Sequence, residues 1–332
     1  SISYVVLETN EESLLGNVTK IVHRNHAFFI GNADESNAVL VFSETGKFLR
    51  KLYSVGQGPG EYLTIDDFCV SNDCAVSILD ARQDKIITFN AEGAFEREIP
   101  LQDCDADYIG CIDGQDLFVL YSSYRTYQSL HNLKIVNTEG EVVQTYLPIS
   151  KSTNRDLTIP AMDLNGYASN TIQFCQIYDD LVYRLEGDQL KVDYQFDFDE
   201  GKIPAGFLER EVIERNHGFC RVYYTRATED CFYYGLEKNG RIRLGFYFKE
   251  DGKHVYGCKP RNEVSKLIEN DLDGMPFMNF VGSSQQAFYS TYPLYVIKQI
   301  PNAAESLKSL AESMDEEDNP LLVIFHIGKS HK

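Results

Sequence analysis

The sequence of 332 residues lacks tryptophan and is poor in basic side chains. Its 31 Lys and Arg residues face 50 Asp and Glu residues, which gives a formal net charge of −19. A chain this acidic repels a nucleic-acid backbone, and no basic stripe with interleaved aromatic residues offsets the repulsion. No run of about 18–20 apolar residues predicts a transmembrane helix.

Cysteine motifs are also missing, because none of the cysteines forms a CxxC pair and no Cys/His spacing matches a zinc site. The eight cysteines are Cys69, Cys74, Cys104, Cys111, Cys175, Cys220, Cys231 and Cys258. Most lie within apolar runs, which favours buried free thiols. A bridge such as one between Cys69 and Cys74 stays open for an exported protein, and geometry decides between the two.

What the chain does contain is a repeated hairpin pattern. Two apolar runs flank a polar turn that ends in glycine, and Gly46, Gly93, Gly140 and Gly187 follow one another at intervals of 47 residues. Four residues before each glycine lies Phe42, Phe89, Val136 or Tyr183. A strand-rich repeat of about 40–50 residues is typical of β-propeller blades.

Two further copies of the hairpin end at Gly252 and Gly328, after longer intervals of 65 and 76 residues. A helix predicted from Pro204 to Asn216 accounts for the first surplus. Helical spacing of apolar residues from Ala303 to Ser313 accounts for the second.

The count of copies predicts an all-β fold, a six-bladed β-propeller of four-stranded antiparallel blades with short helical insertions. The chain ends soon after Gly328, so the last blade needs another strand. Residues 2–7 are apolar and precede the first blade, and we expect them to complete the last blade and close the ring. Residues 1–332 are therefore interpreted as a single domain. The absence of tryptophan weighs against a WD-type repeat.

Loop lengths predict which face of the propeller carries a site. The turns between first and second strands, and between third and fourth, are short. The second-to-third turns and the crossings between blades are long, and long loops on a rigid scaffold commonly carry binding or catalysis. Asp80 and Asp180 both stand where a second strand turns into a third, and we expect them to cap that turn through backbone amides.

The sequence resembles a known group of propellers. The resemblance rests on the following stretches: the Gly-Pro-Gly-Glu-Tyr crossing at 58–62 with its preceding Gly56 and Gln57, Ile78-Leu79-Asp80, the phenylalanine–glycine hairpins, the start at 6–9, and residues 179–185 and 318–323. These resemble NHL-type propellers and, more closely, six-bladed propeller proteins exported by Bacteroidota, many of them lipoproteins of unassigned function. The resemblance implies the fold and an exported location in the periplasm or on the outer-membrane surface, with a lipid anchor outside this sequence.

The loop from Gly56 to Tyr62 has two interpretations. Its alternate glycines can aim backbone amides at an anion. Alternatively the loop is a tight crossing between blades, with Glu61 and Tyr62 bonded to neighbouring backbone.

The loop from Tyr121 to His131 is the main binding candidate. Tyrosines, an arginine and small polar groups supply the stacking planes and hydrogen bonds that a glycan or peptide site uses. The alternative is that its tyrosines pack over the blade ends. The ligand-binding residues predicted from the sequence are Tyr62, Tyr121, Tyr124, Arg125, Tyr127, His131 and Arg221.

Metal-binding patterns are weak in the sequence. Asp103, Asp105 and Asp107 alternate, but they lack the glycine turn and closing Glu of a calcium loop. His23, His217, Asp66, Asp67 and Arg221 are predicted near innermost strands, where propeller lactonases and lyases gather metal ligands. They do not recur at matching repeat positions.

The sequence therefore predicts a non-catalytic binding propeller of the cell envelope, with no cofactor and no nucleic-acid partner. Its ligand would be a carbohydrate, a peptide or a protein, held on the long-loop face near the central channel. The alternative is a metal-dependent propeller hydrolase or lyase with its site in the channel.

Overall fold

The predicted glycine hairpins recur throughout the fold. A computed structural model describes residues 1–32, 37–102, 105–123, 130–150, 164–168, 171–204, 207–209, 218–260, 268, 270, 272–277, 280–300 and 303–328. Backbone φ is +83° at Gly46, +87° at Gly93, +80° at Gly140 and +57° at Gly187. A Cβ atom makes such angles costly, so glycine suits this position. The register of each hairpin shifts at the same offset, between Val41/Phe42, Thr88/Phe89, Ile135/Val136 and Val182/Tyr183.

The strands pair into four-stranded antiparallel sheets, each of which is one blade. After β1 (Ile2–Val5), the strands of the first three blades are β2 (Val18–Arg24), β3 (Ala27–Asn32), β4 (Ala38–Ser43), β5 (Phe48–Leu52), β6 (Asp67–Val70), β7 (Val76–Asp80), β8 (Lys85–Phe89), β9 (Phe95–Pro100), β10 (Tyr108–Ile112), β11 (Leu117–Tyr121), β12 (His131–Val136) and β13 (Val142–Pro148). Each of these sheets keeps its strands in sequence order.

The remaining blades continue the pattern and add helices. Their strands are β14 (Asn165–Ala168), β15 (Thr171–Cys175), β16 (Leu181–Glu186), β17 (Gln189–Gln195), β18 (Arg221–Ala227), β19 (Cys231–Lys238), β20 (Arg241–Phe248), β21 (His254–Pro260), β22 (Gly282–Ser283), β23 (Phe288–Tyr292) and β24 (Leu321–Phe325). The helices α1 (Leu294–Lys298) and α2 (Glu305–Glu312) lie between β23 and β24. The helix predicted at 303–313 is confirmed. Most of the one predicted at 204–216 lies outside the described residues, which show short 3₁₀ helices at Asp199–Gly201 and Phe207–Glu209.

The middle strands of the blades carry the core. β7 and β8 are buried at every position, whereas β9 and β13 are largely exposed. Continuous apolar runs suit strands covered on both faces, and polar residues suit the outer strand. Leu79 and Ile86 of blade two pack in one cluster with Ile109 and Leu120 of blade three.

The N-terminal strand completes the last blade, as the sequence predicts. β1 pairs antiparallel with β24, from Ile2 opposite Phe325 to Val5 opposite Leu322. Leu7, which follows, is 1% exposed and packs with Phe42 and Leu322. The protein is therefore an all-β, six-bladed propeller whose ring is closed by its N-terminal strand.

The chain packs as two compact units. One comprises Ser1–Tyr53, Arg226–Tyr233 and Ile242–Lys332, and the other comprises Ser54–Thr225 and Tyr234–Arg241. The sequence interpretation of residues 1–332 as one domain stays a prediction. In the described part of the chain, no helix combines the length and apolar character that a membrane crossing requires.

Cysteines with described side chains are free thiols. Cys69, Cys175 and Cys231 are buried, and Cys74, Cys111 and Cys220 are half-buried. Burial raises the pKa of Cys231 to about 12, which keeps this thiol protonated and unreactive. The bridge between Cys69 and Cys74 left open by the sequence is not formed.

Candidate ligand cleft

The Gly56–Tyr62 loop adopts the crossing predicted as its structural alternative. Val55 and Tyr62 form a parallel bridge, and the Tyr62 N–H donates to the Ser54 carbonyl at 2.9 Å. The Gly58 N–H donates to Glu61 Oε2 at 2.7 Å, so the loop supplies its own anion to this amide. The Tyr62 side chain is fully buried, with 0% exposure.

The predicted binding loop is described at its two ends. Tyr121 closes β11 with a fully buried side chain, and His131 opens β12 as a half-buried residue opposite Pro148. Tyr124, Arg125 and Tyr127 lie outside the described residues, so their part in binding stays a prediction.

Arg221 at the start of β18 forms an ion pair with Glu237 of β19. Glu237 also accepts the Gly240 N–H at 2.9 Å. The guanidinium is thus engaged within its own blade. Its chain neighbour Cys220 lines a cleft on the long-loop face.

A cleft of about 510 Å³ lies among the long loops of blades three and four. Its walls come from the β12 start, the crossing after β13, the turn between β15 and β16, and the crossing toward β18. The lining residues are Asn132, Leu147, Pro148, Ile149, Ser150, Gln176, Tyr178, Asp179, Asp180, Tyr183, Phe198, Lys202, Ile203, Pro204, Phe207, Leu208, Glu209 and Cys220. All these segments are second-to-third turns, blade crossings or the strand ends beside them, which is the set that the sequence assigns to the site-bearing face.

The turn between β15 and β16 positions the deepest carboxylate of the cleft. The Asp179 N–H donates to the Gln176 carbonyl at 3.1 Å, and Asp179 Oδ1 accepts the Leu181 N–H at 3.2 Å. The Tyr183 hydroxyl donates to the other Asp179 oxygen. Burial raises the pKa of Asp179 despite these bonds, and burial followed by the Asp179 contact raises the pKa of Tyr183.

Asp180 forms the ion pair of the cleft. Lys202 Nζ lies 2.8 Å from Asp180 Oδ2, and Gln195 Nε2 donates to the same oxygen at 3.2 Å. Desolvation raises the pKa of Asp180, but the bonds from Lys202 and Gln195 outweigh it and bring the pKa below its ordinary value. The predicted cap role fits Asp80 better, because Asp80 accepts the Leu63, Arg82 and Gln83 backbone N–H groups.

Aromatic rings hold the far wall of the cleft. The half-buried Tyr178 ring contacts the buried Phe207 ring at 5.6 Å between centroids, and Phe207 meets Phe219 edge-on at 5.6 Å. The 3₁₀ helix Phe207–Glu209 follows from a turn in which the Phe207 N–H donates to the Pro204 carbonyl. Glu209, at its end, accepts from the Ser150 hydroxyl at 3.4 Å.

A polar network links the cleft to the predicted Tyr121. Gln176 Nε2 donates to the Tyr121 hydroxyl at 2.7 Å and to Asn132 Oδ1 at 3.2 Å. Asn132 Nδ2 donates in turn to the Ser122 carbonyl at 2.7 Å. Tyr121 therefore supports the cleft from beneath through Gln176, while Tyr62 and Arg221 are not among the lining residues.

Sequence reasoning missed Gln176, Lys202 and Glu209. The only available signal was the Asp179-Asp180 pair, which the sequence places in a turn. Lys202 and Glu209 lie on a blade crossing with no motif, so their approach to blade four depends on the folded chain.

The metal candidates are partly described. Within the described residues, no group of three or more His, Cys, Asp or Glu side chains is arranged to hold a metal ion. Asp107 accepts the Ser123 N–H at 2.6 Å, and Asp67 accepts the Ile109 N–H at 2.9 Å. Asp103 and His217 lie outside the described residues.

Solved structures show where this fold recurs. A "Putative exported protein" from Bacteroides fragilis superposes with a TM-score of 0.79 at 18% identity, covering 99% of this chain and 95% of that one. A member of the DUF4221 family from Bacteroides vulgatus gives a TM-score of 0.55 at 9% identity, covering 98% and 97%. A search of curated proteins finds no match. Likeness at these identities establishes a shared fold and leaves the chemistry open.

Sequence comparison with family models is more direct. One family model matches residues 1–326, almost the full length of the chain. The chain therefore belongs to the family described as Domain of unknown function (DUF4934).

Proposed function

We propose that this protein is an exported, non-catalytic binding propeller of the cell envelope, in the periplasm or on the outer-membrane surface, with a lipid anchor outside this sequence. Its cleft beside blade four holds a carbohydrate, peptide or protein ligand. Export is supported by the structural likeness to the Bacteroides fragilis protein, whose own description is that of an exported protein.

One observation carries the binding proposal: the cleft of about 510 Å³ on the long-loop face. A pocket with apolar walls and a few convergent polar groups is the usual form of a ligand site. Here Tyr178 and Ile203 supply apolar surface, while Gln176, Asp179 and Asn132 supply hydrogen-bonding groups. The predicted loop residues Tyr124, Arg125 and Tyr127 join this proposal, because the described ends of their loop, Tyr121 and His131, lie next to cleft elements.

The test is a screen of arrayed glycans and peptides against the wild-type protein and matched tyrosine variants. Tyr178→Ala removes the half-buried ring of the cleft, and Tyr295→Ala removes a ring that is 59% exposed on α1. We expect Tyr178→Ala to weaken binding at least about 10-fold, as loss of a central aromatic contact does. Tyr295→Ala should bind as wild type does.

A second variant tests the predicted loop. The double change Tyr124→Ala with Arg125→Ala should weaken the same ligand while leaving the melting temperature unchanged. Binding that survives both this variant and Tyr178→Ala would place the site elsewhere. Failure of every arrayed glycan and peptide to bind would count against the proposal itself.

A further inference from the structure

We infer that the ligand presents an organic cation, an ammonium or guanidinium group, which the cleft binds between Asp179 and Glu209 against the Tyr178 ring. This inference rests on the proposed binding function and names the chemistry of its ligand.

The charges of the cleft do not balance. Its described lining contains the carboxylates Asp179, Asp180 and Glu209 and the ammonium of Lys202. Lys202 pairs with Asp180. Within the described part of the chain, Asp179 bonds to the Tyr183 hydroxyl and the Leu181 N–H, and Glu209 bonds to the Ser150 hydroxyl. All of these donors are neutral. The ammonium of Lys202 also acts on Asp179 at longer range, but three carboxylates face this one ammonium, so the lining leaves an excess of two negative charges for a cation from the ligand.

Ring packing brings these two carboxylates to one cleft from separate elements. Tyr178 directly precedes Asp179, and Phe207 precedes Glu209 by two residues. The Tyr178 and Phe207 rings meet at 5.6 Å, so the β15–β16 turn and the 3₁₀ helix approach each other there. Phe207 is buried and fixes the position of Tyr178, whose half-buried ring offers the cleft an aromatic surface. A cation beside such a ring gains electrostatic attraction to its π face.

The Lys202–Asp180 pair shows that this cleft already accommodates an ammonium group beside a carboxylate. The contact of 2.8 Å is made by a lysine whose side chain is 61% exposed. The two carboxylates of the inference differ in depth, because Asp179 is half-buried and Glu209 is exposed. A cation near Asp179 offsets the desolvation that raises the pKa of this carboxyl group. Glu209 at the rim, together with the net charge of −19, attracts cations toward the opening.

A neutral sugar fits the same cleft less well. Its hydroxyl groups could bond to Asn132, Gln176 and Asp179, and its ring could stack on Tyr178. It would displace water from the half-buried Asp179 without supplying a charge to compensate this carboxylate. An anionic ligand would add repulsion. The cation is therefore the class that the lining favours.

The experiment measures binding by titration calorimetry at low and at moderate salt. The cationic probes are cadaverine, a free amine, and the peptide acetyl-Gly-Gly-Lys-Gly-Gly-amide, which distinguishes a lysine side chain from a small amine. The neutral probes are the same peptide with norleucine in place of lysine, and maltoheptaose. We expect a cationic probe to bind at least about 10-fold more tightly than the neutral peptide, and its affinity to fall as salt rises.

Variants that remove one negative charge but keep nearly the same side-chain shape test which carboxylates bind the cation. Asp179→Asn and Glu209→Gln should each weaken the cationic probe, with the larger loss at the half-buried Asp179, at least about 10-fold. Glu139→Gln is the matched control, because this exposed carboxylate lies in the hairpin turn of blade three. If Asp179→Asn fails to fold, Glu209→Gln alone still decides, since among the described residues its carboxylate bonds to the Ser150 hydroxyl alone.

The outcomes separate this inference from the proposed function. Binding of maltoheptaose or the norleucine peptide that Tyr178→Ala abolishes, but that both charge variants leave intact, overturns the cation and keeps the binding cleft. Cation binding that is equal in the charge variants and in Glu139→Gln also overturns it. If ligands bind but none in a Tyr178-dependent way, the cleft is not the site and the cation inference falls alone. If no probe and no array member binds at all, the proposed function falls with it.

Discussion

The turns between second and third strands in blades two and four each carry an aspartate, Asp80 or Asp180. The environments of these two carboxylates differ. In blade two, Asp80 is fully buried and accepts the backbone N–H groups of Leu63, Arg82 and Gln83. In blade four, Asp180 is half-buried and forms an ion pair with Lys202 in the lining of the cleft. The difference follows from the crossings between blades. Leu63 ends a tight loop and donates its N–H to Asp80, whereas the blade-four turn lines the open cleft.

The closed loop around Asp80 satisfies backbone groups of the chain itself, whereas the loops around Asp180 leave an open cleft. Asp80 accepts part-buried backbone N–H groups of its own chain, and removing it deprives them of this acceptor. Asp179 and Asp180 line the open cleft. The most extensive closed region is the junction of β1 with β24.

Deleting residues 1–8 should have the largest effect. The deletion removes the β1 ladder and the buried Leu7, and burial of large apolar side chains contributes about 1.5–3 kcal/mol each. It also exposes β24 as an edge, which promotes aggregation. We expect the free energy of unfolding to fall by more than about 3 kcal/mol, measured by thermal unfolding, and size-exclusion chromatography to detect aggregation.

Two point variants form a matched pair for the same closure. Leu7 is 1% exposed and Val6 is 40% exposed, so Leu7→Ala should destabilise the protein more than Val6→Ala does. Melting and solubility equal to wild type in the truncated protein would refute closure by this strand.

Two hairpin glycines sharpen the comparison between closed and open turns. A Cβ at Gly46 would lie 2.0 Å from the Val6 carbonyl oxygen, whereas a Cβ at Gly252 would meet nothing within 4 Å. Both residues have positive φ, so an alanine costs about 1–2 kcal/mol at either position through the backbone alone. Gly46→Ala should therefore cost clearly more than Gly252→Ala in urea unfolding. Equal losses of unfolding free energy in the two variants would show that the N-terminal segment does not pack closely against the Gly46 turn.

The two aspartates give the direct test, with a smaller expected effect. Asp80→Ala removes the acceptor of three part-buried backbone N–H groups and should cost about 2–3 kcal/mol. Asp180→Ala should cost less than about 1 kcal/mol, because its partner Lys202 is exposed and returns to water. Chemical denaturation of both variants under one buffer condition measures the difference. A larger loss of unfolding free energy for Asp180→Ala than for Asp80→Ala would contradict the assignment of the blade-two turn as closed and the blade-four turn as open.

The fold could be predicted from the sequence to a large extent. The glycine hairpins, the blade count, the added N-terminal strand and the helix near 303–313 all follow from local patterns that the structure confirms. The candidate cleft could be predicted only to the level of a face. Tyr121 belongs to its supporting network, but Gln176, Lys202 and Glu209 carry no pattern that marks them.

The physical reason lies in the range of the interactions. By itself the sequence determined the repeated unit, because turn chemistry and strand alternation act between residues a few positions apart. The need to cover the last blade's open edge then determined the closure. Only the tertiary structure decided that Asp179 and Glu209, 30 positions apart, line one cleft. That meeting depends on packing between a turn and a crossing, where Tyr178 contacts Phe207, and no local rule encodes it.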